Sequence, residues 1–174
     1  MRGDPELICA IRDVPDFPKP GIIFKDITPI LGNGQLFRKT IDLLSESARA
    51  HGATKIAGID ARGFLFGATV ADRLGLGFVP IRKKGKLPWK TCSVEYELEY
   101  GKAEIEIHTD AFAPGEKVAL VDDLLATGGT AAASVQLIQS LGADVAAAIF
   151  LIELEFLKGR EQLKQIPVDA LIQI

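Results

Sequence analysis

Cysteine is nearly missing from this chain. Among 174 residues only Cys9 and Cys92 carry a thiol, and no C-x-x-C occurs, which excludes a disulfide framework and a zinc ribbon. Histidine is equally scarce. His51 and His108 stand alone and read as surface residues rather than metal ligands. No apolar run is long enough to span a bilayer, and the N-terminus lacks the apolar core of a signal peptide. Net charge is only −3, so bulk electrostatics attract neither nucleic acid nor an anionic membrane. A reducing cytoplasm is the default compartment. Two common phosphate motifs are absent as well. There is no G-x-x-x-x-G-K-[ST], and the nearest approach to G-x-G-x-x-G, Gly75-Leu76-Gly77-Phe78-Val79-Pro80, has proline at the third glycine and leads into a strand. No nucleophile elbow, internal repeat, low-complexity tract or linker is visible.

What remains is ordinary globular composition, 48% hydrophobic and 25% charged, in a length that suits one domain with a real core. Asp4-Pro5-Glu6 combines an N-cap, a first-turn proline and an early acid, so a short helix is expected to about Arg12. Pro15 to Gly21 is too rich in proline for regular structure, and Ile22 to Lys25 is a short extended piece. An amphipathic helix is expected from about Gly34 to His51, stopped by Gly52, and another from Gly63 to Leu74, stopped by Gly75. Strands are expected at Lys55–Ile59, Phe78–Arg82, Val118–Val121, Val145–Ile152 and up to Ile172. A short charged helix, about Leu157 to Lys164, precedes Pro167. Cys92 to His108 has a period of two. Val94, Tyr96, Leu98 and Tyr100 alternate with Glu95, Glu97 and Glu99, and Ala103, Ile105 and Ile107 with Glu104 and Glu106. That predicts a hairpin with one wet face. Strands alternating with helices make the fold class α/β, a single-domain, mostly parallel twisted sheet flanked by helices.

One stretch carries chemistry on its face. In Val118 to Thr130 an apolar strand ends in Asp122-Asp123, a small-residue loop Ala126-Thr127-Gly128-Gly129-Thr130 follows, and an Ala-rich helix begins. Open α/β sheets place ligands at the carboxyl ends of their strands. A small-residue loop lets backbone N–H groups converge on an anion, with the positive end of the helix aimed at the same point. Amides for a phosphate beside acids for hydroxyls suit a sugar phosphate. Three other pieces are weaker alone. Asp60-Ala61-Arg62-Gly63 lies between a strand and a helix and could hold pyrophosphate, or be a turn with a surface arginine. Arg82-Lys83-Lys84-Gly85-Lys86 could be a solvated face, or the start of a lid over a polyanion. Glu99 could be one more acid on a wet hairpin face.

The thirteen-residue stretch closely resembles the phosphoribosyl-pyrophosphate (PRPP) signature of type I phosphoribosyltransferases. The resemblance extends further. Phe17 to Pro29, with its Phe-Pro-Lys-Pro-Gly-Ile-Ile-Phe-Lys-Asp-Ile-Thr-Pro sequence, is similar to the N-terminal hood of the adenine phosphoribosyltransferase family. So are Arg82 to Pro88, Glu97 to Glu104, and Glu153 to Glu161, in the right order over nearly the whole chain. The resemblance implies the type I phosphoribosyltransferase fold, with a hood of about residues 1–33 plus the segment near 153–157, and a lid and hairpin of about 83–108. It implies transfer of phosphoribose from PRPP to adenine, giving AMP and pyrophosphate, with Mg²⁺, in a homodimer.

By position, the resemblance puts the ribose hydroxyls on Asp122 and Asp123, and the 5′-phosphate on Ala126, Thr127, Gly128, Gly129 and Thr130. Pyrophosphate falls to Asp60, Ala61, Arg62, Arg82, Lys83 and Lys86. Adenine would be read by the backbone of Ile23 and Lys25 and packed by Phe24 and Leu154, with Glu99 as the acid/base near the purine. Mg²⁺ would be held mainly by substrate, without a dedicated protein ligand. An unusual peptide, cis in form, is implied at Asp60-Ala61. Trp89 departs from the family pattern at a lid position. Two rival readings are a phosphoribosyltransferase for xanthine or orotate, against which the hood argues, and a PRPP-sensing regulator, which would be expected to carry a DNA-binding domain for which this length leaves no room.

Overall fold

The computed structural model describes residues 2–97 and 102–174. The chain opens with β1 (Arg2–Gly3) and α1 (Pro5–Ala10), whose cap Asp4 accepts from the amides of Glu6 and Leu7 at 3.0 and 3.2 Å. β2 (Arg12–Pro15) and β3 (Ile23–Asp26) pair as a separate antiparallel ribbon across the proline-rich bend. α2 (Thr28–Gly32) is a short turn of helix with Pro29 in its first turn. α3 (Gly34–Ala50) starts at Asn33, which caps Gln35 and Leu36.

Alternating units follow: β4 (Lys55–Ile59), α4 (Arg62–Leu74), β5 (Gly77–Lys83), then the hairpin β6 (Thr91–Glu97) and β7 (Lys102–His108), β8 (Lys117–Leu125), α5 (Gly129–Ser140), β9 (Asp144–Glu153) and β10 (Val168–Gln173). The main sheet runs β1-β10-β9-β8-β4-β5-β7-β6. The pairs from β10 through β5 are parallel, while β1, β7 and β6 join antiparallel at the two rims.

The central strands are apolar on both faces because both are covered. Val118, Leu120, Ala148 and Phe150 pack with α5, and the alternate residues Ala119, Val121, Ala147 and Ile149 pack with α3 and α4. Each fully buried Leu or Phe contributes roughly 1.5–3 kcal/mol through removal of its apolar surface from water. Because β4, β5, β8 and β9 are parallel, their carboxyl ends share one rim, and the turns that leave them meet there.

Three expectations are corrected. Residues 157–164 are not one helix but two 3₁₀ turns, Glu155–Leu157 and Gly159–Leu163, separated by Lys158 in the left-handed region at φ 54°. The reason is steric: Gly159 lies against the loop after β8, which an unbroken helix would not permit. The hairpin's wet face is not uniformly wet either, for Glu106 is buried at 2% exposure. Finally, His51 and His108 are half-buried; His51 bonds Asp169 at 2.9 Å and ties α3 to β10. No helix among the described residues is long and apolar enough to cross a membrane.

Candidate active site

β8 explains the placement of the two acids. Its pairing with β4 ends at Val121, while its pairing with β9 continues through Leu125. Asp122 and Asp123 therefore sit within a held strand but beyond the end of its neighbour, facing the turn after β4. The Asp123 amide donates to Asp122 Oδ1 at 2.9 Å, and Arg62 Nε pairs with Asp123 Oδ2 at 2.9 Å. Asp123 is 4% exposed. Burial, then the neighbouring Asp123 charge, push the Asp122 carboxyl well above the ordinary carboxylate range. Burial also raises Asp123, with Arg62 opposing it. Gly63, at the start of α4, must lack a side chain: a Cβ there would lie 2.7 Å from Asp122 Oδ1 and 2.9 Å from the Val121 carbonyl. The acids and the turn after β4 are thus in direct contact.

That turn has a cis peptide at Asp60-Ala61, the form that the resemblance implied. Asp60 accepts from Arg82 Nε at 3.1 Å, and its own amide donates to the Ile81 carbonyl at 2.9 Å. Arg82 also donates to the Lys86 carbonyl at 3.0 Å and lies 5.9 Å from the Phe64 ring. Lys83 and Lys86 are exposed. The basic run is therefore attached to the turn after β4 by its own arginine.

The loop Ala126 to Thr130 follows β8 directly. Gly128 caps α5 in the left-handed region, φ 86°, which favours glycine. The loop is braced from behind, since a Cβ on Gly128 would overlap the Gly159 carbonyl and a Cβ on Gly159 would overlap that of Ala126. Arg160 holds the bracing segment by a bidentate pair with Glu153, at 2.9 and 2.6 Å. The Thr130 hydroxyl donates to Tyr96 OH at 3.1 Å, fastening the loop to the hairpin. A polar cleft of about 450 Å³ between β6 and α5 has Thr127 and Gly129 on its wall.

Phe24, from the small ribbon, meets Phe17 edge-on at 5.2 Å and takes the Arg62 guanidinium over its ring at 5.2 Å. Ile23 is 56% exposed, and Lys25 Nζ pairs with Asp13 at 2.7 Å. Leu154 is half-buried, and its amide donates to the Leu125 carbonyl at 2.9 Å, so the end of β9 stays beside the end of β8. Glu99 lies outside the described residues. Sequence reasoning singled out neither Gly159, Tyr96, Arg160 nor Glu106. Of these only Gly159, a lone glycine in a charged stretch, carried a readable signal of close backbone approach.

Residues 27–168 match the phosphoribosyl transferase domain family, which sets the class. Within that class the chain belongs to the adenine phosphoribosyltransferase family. It is 56% identical over 166 residues to adenine phosphoribosyltransferase of Nitrosococcus oceani, covering 95% of this chain and 97% of the relative. It is 55% identical over 168 residues to that of Chloroflexus aurantiacus, covering 97% of each. The crystal structure of adenine phosphoribosyltransferase from Thermoanaerobacter pseudethanolicus superposes with a TM-score of 0.94 at 53% identity, over 97% of this chain and 98% of that one. The Saccharomyces cerevisiae enzyme, complexed with an imino-altritol bisphosphate and adenine, superposes with a TM-score of 0.90 at 45% identity, over 95% and 96%. The chain is thus a pentosyltransferase of purine salvage, moving phosphoribose from PRPP to adenine to give AMP and pyrophosphate.

Proposed function

We propose that PRPP lies along the shared rim of β4, β5 and β8, with each of its parts met by a different turn. The 5′-phosphate takes the amides of Ala126 to Thr130 and the positive end of α5. Asp122 and Asp123 accept the ribose 2′- and 3′-hydroxyls. Asp60, Ala61, Arg62, Arg82, Lys83 and Lys86 meet the pyrophosphate. Adenine enters between Phe24 and Leu154, with the backbone of Ile23 and Lys25 on its edge. Residues 1–33 and the segment near 153–157 form the hood, and 83–108 form the lid and hairpin.

As the bond to pyrophosphate lengthens, the anomeric carbon gains oxocarbenium character, as in glycoside transfer. The cations on the rim neutralise the charge that develops on the leaving group. Glu99 exchanges a proton with the purine while N9 attacks. Mg²⁺ suits this setting, because it keeps water and substrate phosphates as ligands and asks few protein donors of its own. The hard carboxylates Asp122 and Asp123 fit beside an ion held mainly by PRPP oxygens. When bound, it supplies further charge neutralisation on the pyrophosphate.

The Trypanosoma brucei neighbour, 26% identical with a TM-score of 0.88 over 97% of this chain and 78% of that one, was solved with AMP, pyrophosphate and ribose-5-phosphate, a set that includes both products assigned here. A homodimer is proposed as well. Leu65 on α4 is 45% exposed beside Arg62, an apolar side chain that a second copy would cover. The free thiols of Cys9 and Cys92 suit a cytoplasmic setting.

The observation that carries the assignment is the contact of Asp122 and Asp123 with the Arg62 turn, on the strand that leads directly into the glycine loop. It is tested by a spectrophotometric assay of adenine, hypoxanthine, guanine, xanthine and orotate with Mg-PRPP. Adenine should be consumed fastest by far. Turnover of a different base with adenine inert would overturn the assignment.

A further inference from the structure

Three acids among the described residues are almost wholly buried: Asp123, Glu153 and Glu106. The first two have arginine partners, Arg62 and Arg160. Glu106 pairs with no cation among the described residues. Its charge is met by neutral donors, all from the basic run and its continuation. Oε1 accepts from the amides of Lys86 and Leu87, both at 2.9 Å, and Oε2 from the Thr91 hydroxyl at 3.0 Å. Opposing its burial, these bonds hold the carboxyl below its ordinary range. The chain around it must turn tightly, and Gly85 at φ 81° supplies the turn.

The same stretch is gripped from its other side. Arg82 donates to the Lys86 carbonyl, and through Nε to Asp60. In the register of the sheet Arg82 stands opposite Glu106 itself. One continuous hydrogen-bonded path thus runs from Thr91 through Glu106, Lys86 and Arg82 to Asp60. It joins two turns that the sequence places about twenty residues apart, Asp60-Ala61-Arg62 and Arg82 to Lys86. A run of like charges has no reason of its own to adopt one shape. Here the shape is imposed by a carboxylate inserted beneath the run.

We propose that Glu106 is a positioning residue for the pyrophosphate grip, acting through the backbone of Lys86 and Leu87 and so through Arg82, without touching substrate. The proposal rests on the reading that Arg82 and Lys86 meet pyrophosphate. By setting the Lys86 peptide, Glu106 fixes where Lys86 and Arg82 project and how the Arg82 fork is shared with Asp60.

The test compares Glu106→Met, Glu106→Gln and Lys86→Ala, measuring KM for PRPP, KM for adenine, dissociation of pyrophosphate by calorimetry, and Tm. Met keeps the length but offers the amides no useful acceptor, so Glu106→Met should raise KM for PRPP and Kd for pyrophosphate by about tenfold, the size of one lost buried hydrogen bond, and leave KM for adenine within about twofold. Gln keeps an acceptor for Lys86 and Leu87, while the Thr91 hydroxyl reverses its role, so Glu106→Gln should recover most of the loss. If Lys86→Ala leaves PRPP and pyrophosphate unaffected, the pyrophosphate reading fails and the proposal with it. If Lys86→Ala weakens PRPP but a folded Glu106→Met does not, or weakens PRPP and adenine alike, Glu106 only stabilises the fold and the proposal is overturned. Should Glu106→Met not fold, Thr91→Val decides: a rise of about two- to fivefold in KM for PRPP alone supports the proposal, and no rise overturns it.

Discussion

The two anion grips proposed for this chain are of opposite construction. At the loop after β8 the grip is backbone, and it is braced by more backbone: Gly128 and Gly159 lie so close that neither tolerates a Cβ. At the turns after β4 and β5 the grip is made of long cationic side chains, and hydrogen bonds hold it in place, from Arg82 to Asp60 and from the Lys86 amide to Glu106. The first grip is fixed by shape and fails when a single methyl is added. The second is fixed by bonding and loses strength bond by bond. A phosphate that stays on the sugar throughout suits the first kind. A pyrophosphate that must leave suits the second.

The largest effect should come from the brace. Gly159→Ala forces the loop away from its helix end and should lower kcat/KM for PRPP by about 10²-fold, or about 2.7 kcal/mol. Gly85→Ala, in the other grip, meets nothing within 4 Å and bears only the strain of its φ of 81°, so a loss of several-fold is expected. Steady-state kinetics with PRPP varied distinguishes the two, and equal losses would erase the contrast.

An intermediate effect is expected at the carboxylates between the grips. Asp122→Asn should weaken PRPP yet stabilise the fold. The sign follows from its raised pKa: the folded state holds the proton more tightly, so the wild type loses stability as pH rises from the ordinary carboxylate range through the folded pKa. Asparagine has no such loss. The variant's Tm should exceed the wild type's by about 2–4 °C at pH 8, corresponding to about 1 kcal/mol in a chain of this size, and the gap should close near pH 4. A calorimetric pH series gives the answer. A lower Tm at every pH would mean that Asp122 is a structural partner of Gly63 and the Asp123 amide instead.

The smallest effect separates neighbouring lysines. Lys84 Nζ donates to Ser93 at 2.8 Å and pairs with Glu104 at 3.3 Å, so it is directed along the hairpin. Lys83→Ala should raise KM for PRPP by about three- to tenfold, while Lys84→Ala should stay within about twofold, as exposed pairs contribute little. Matching KM values would show that the run acts as diffuse charge.

The same contrast decides what could be read in advance. The strand, loop and helix of the proposed backbone grip were legible, because an apolar run, two acids and a small-residue stretch before an Ala-rich segment point to that local geometry. The parallel strands were legible from their doubly apolar pattern, and the helix ends from Gly52 and Gly75. The side-chain grip was legible only as charge. Its anchor, Glu106, occupies the polar phase of an alternating strand, where a glutamate ordinarily faces water. Nothing local reveals that Lys86 and Leu87, some twenty residues earlier, fold over it. The 3₁₀ turns at 155–163 were mistaken for a helix for a similar reason, since the demand that breaks them comes from Ala126 across the fold.

The two-residue strand β1 has a consequence for how copies of this chain coexist. A sheet's last strand presents a row of free amides and carbonyls, a template on which another molecule's strand can add. Here Arg2 and Gly3 occupy the last two positions of that template, opposite Gln173 and Ile172 of β10, and Gly3 approaches so near the Leu171 carbonyl that no side chain would fit. The opposite rim, β6, is guarded differently, by exposed charge at Glu95 paired with Lys102. The two rims of one sheet thus differ: at one a short strand covers the end of the edge, and at the other a charged pair stands on it.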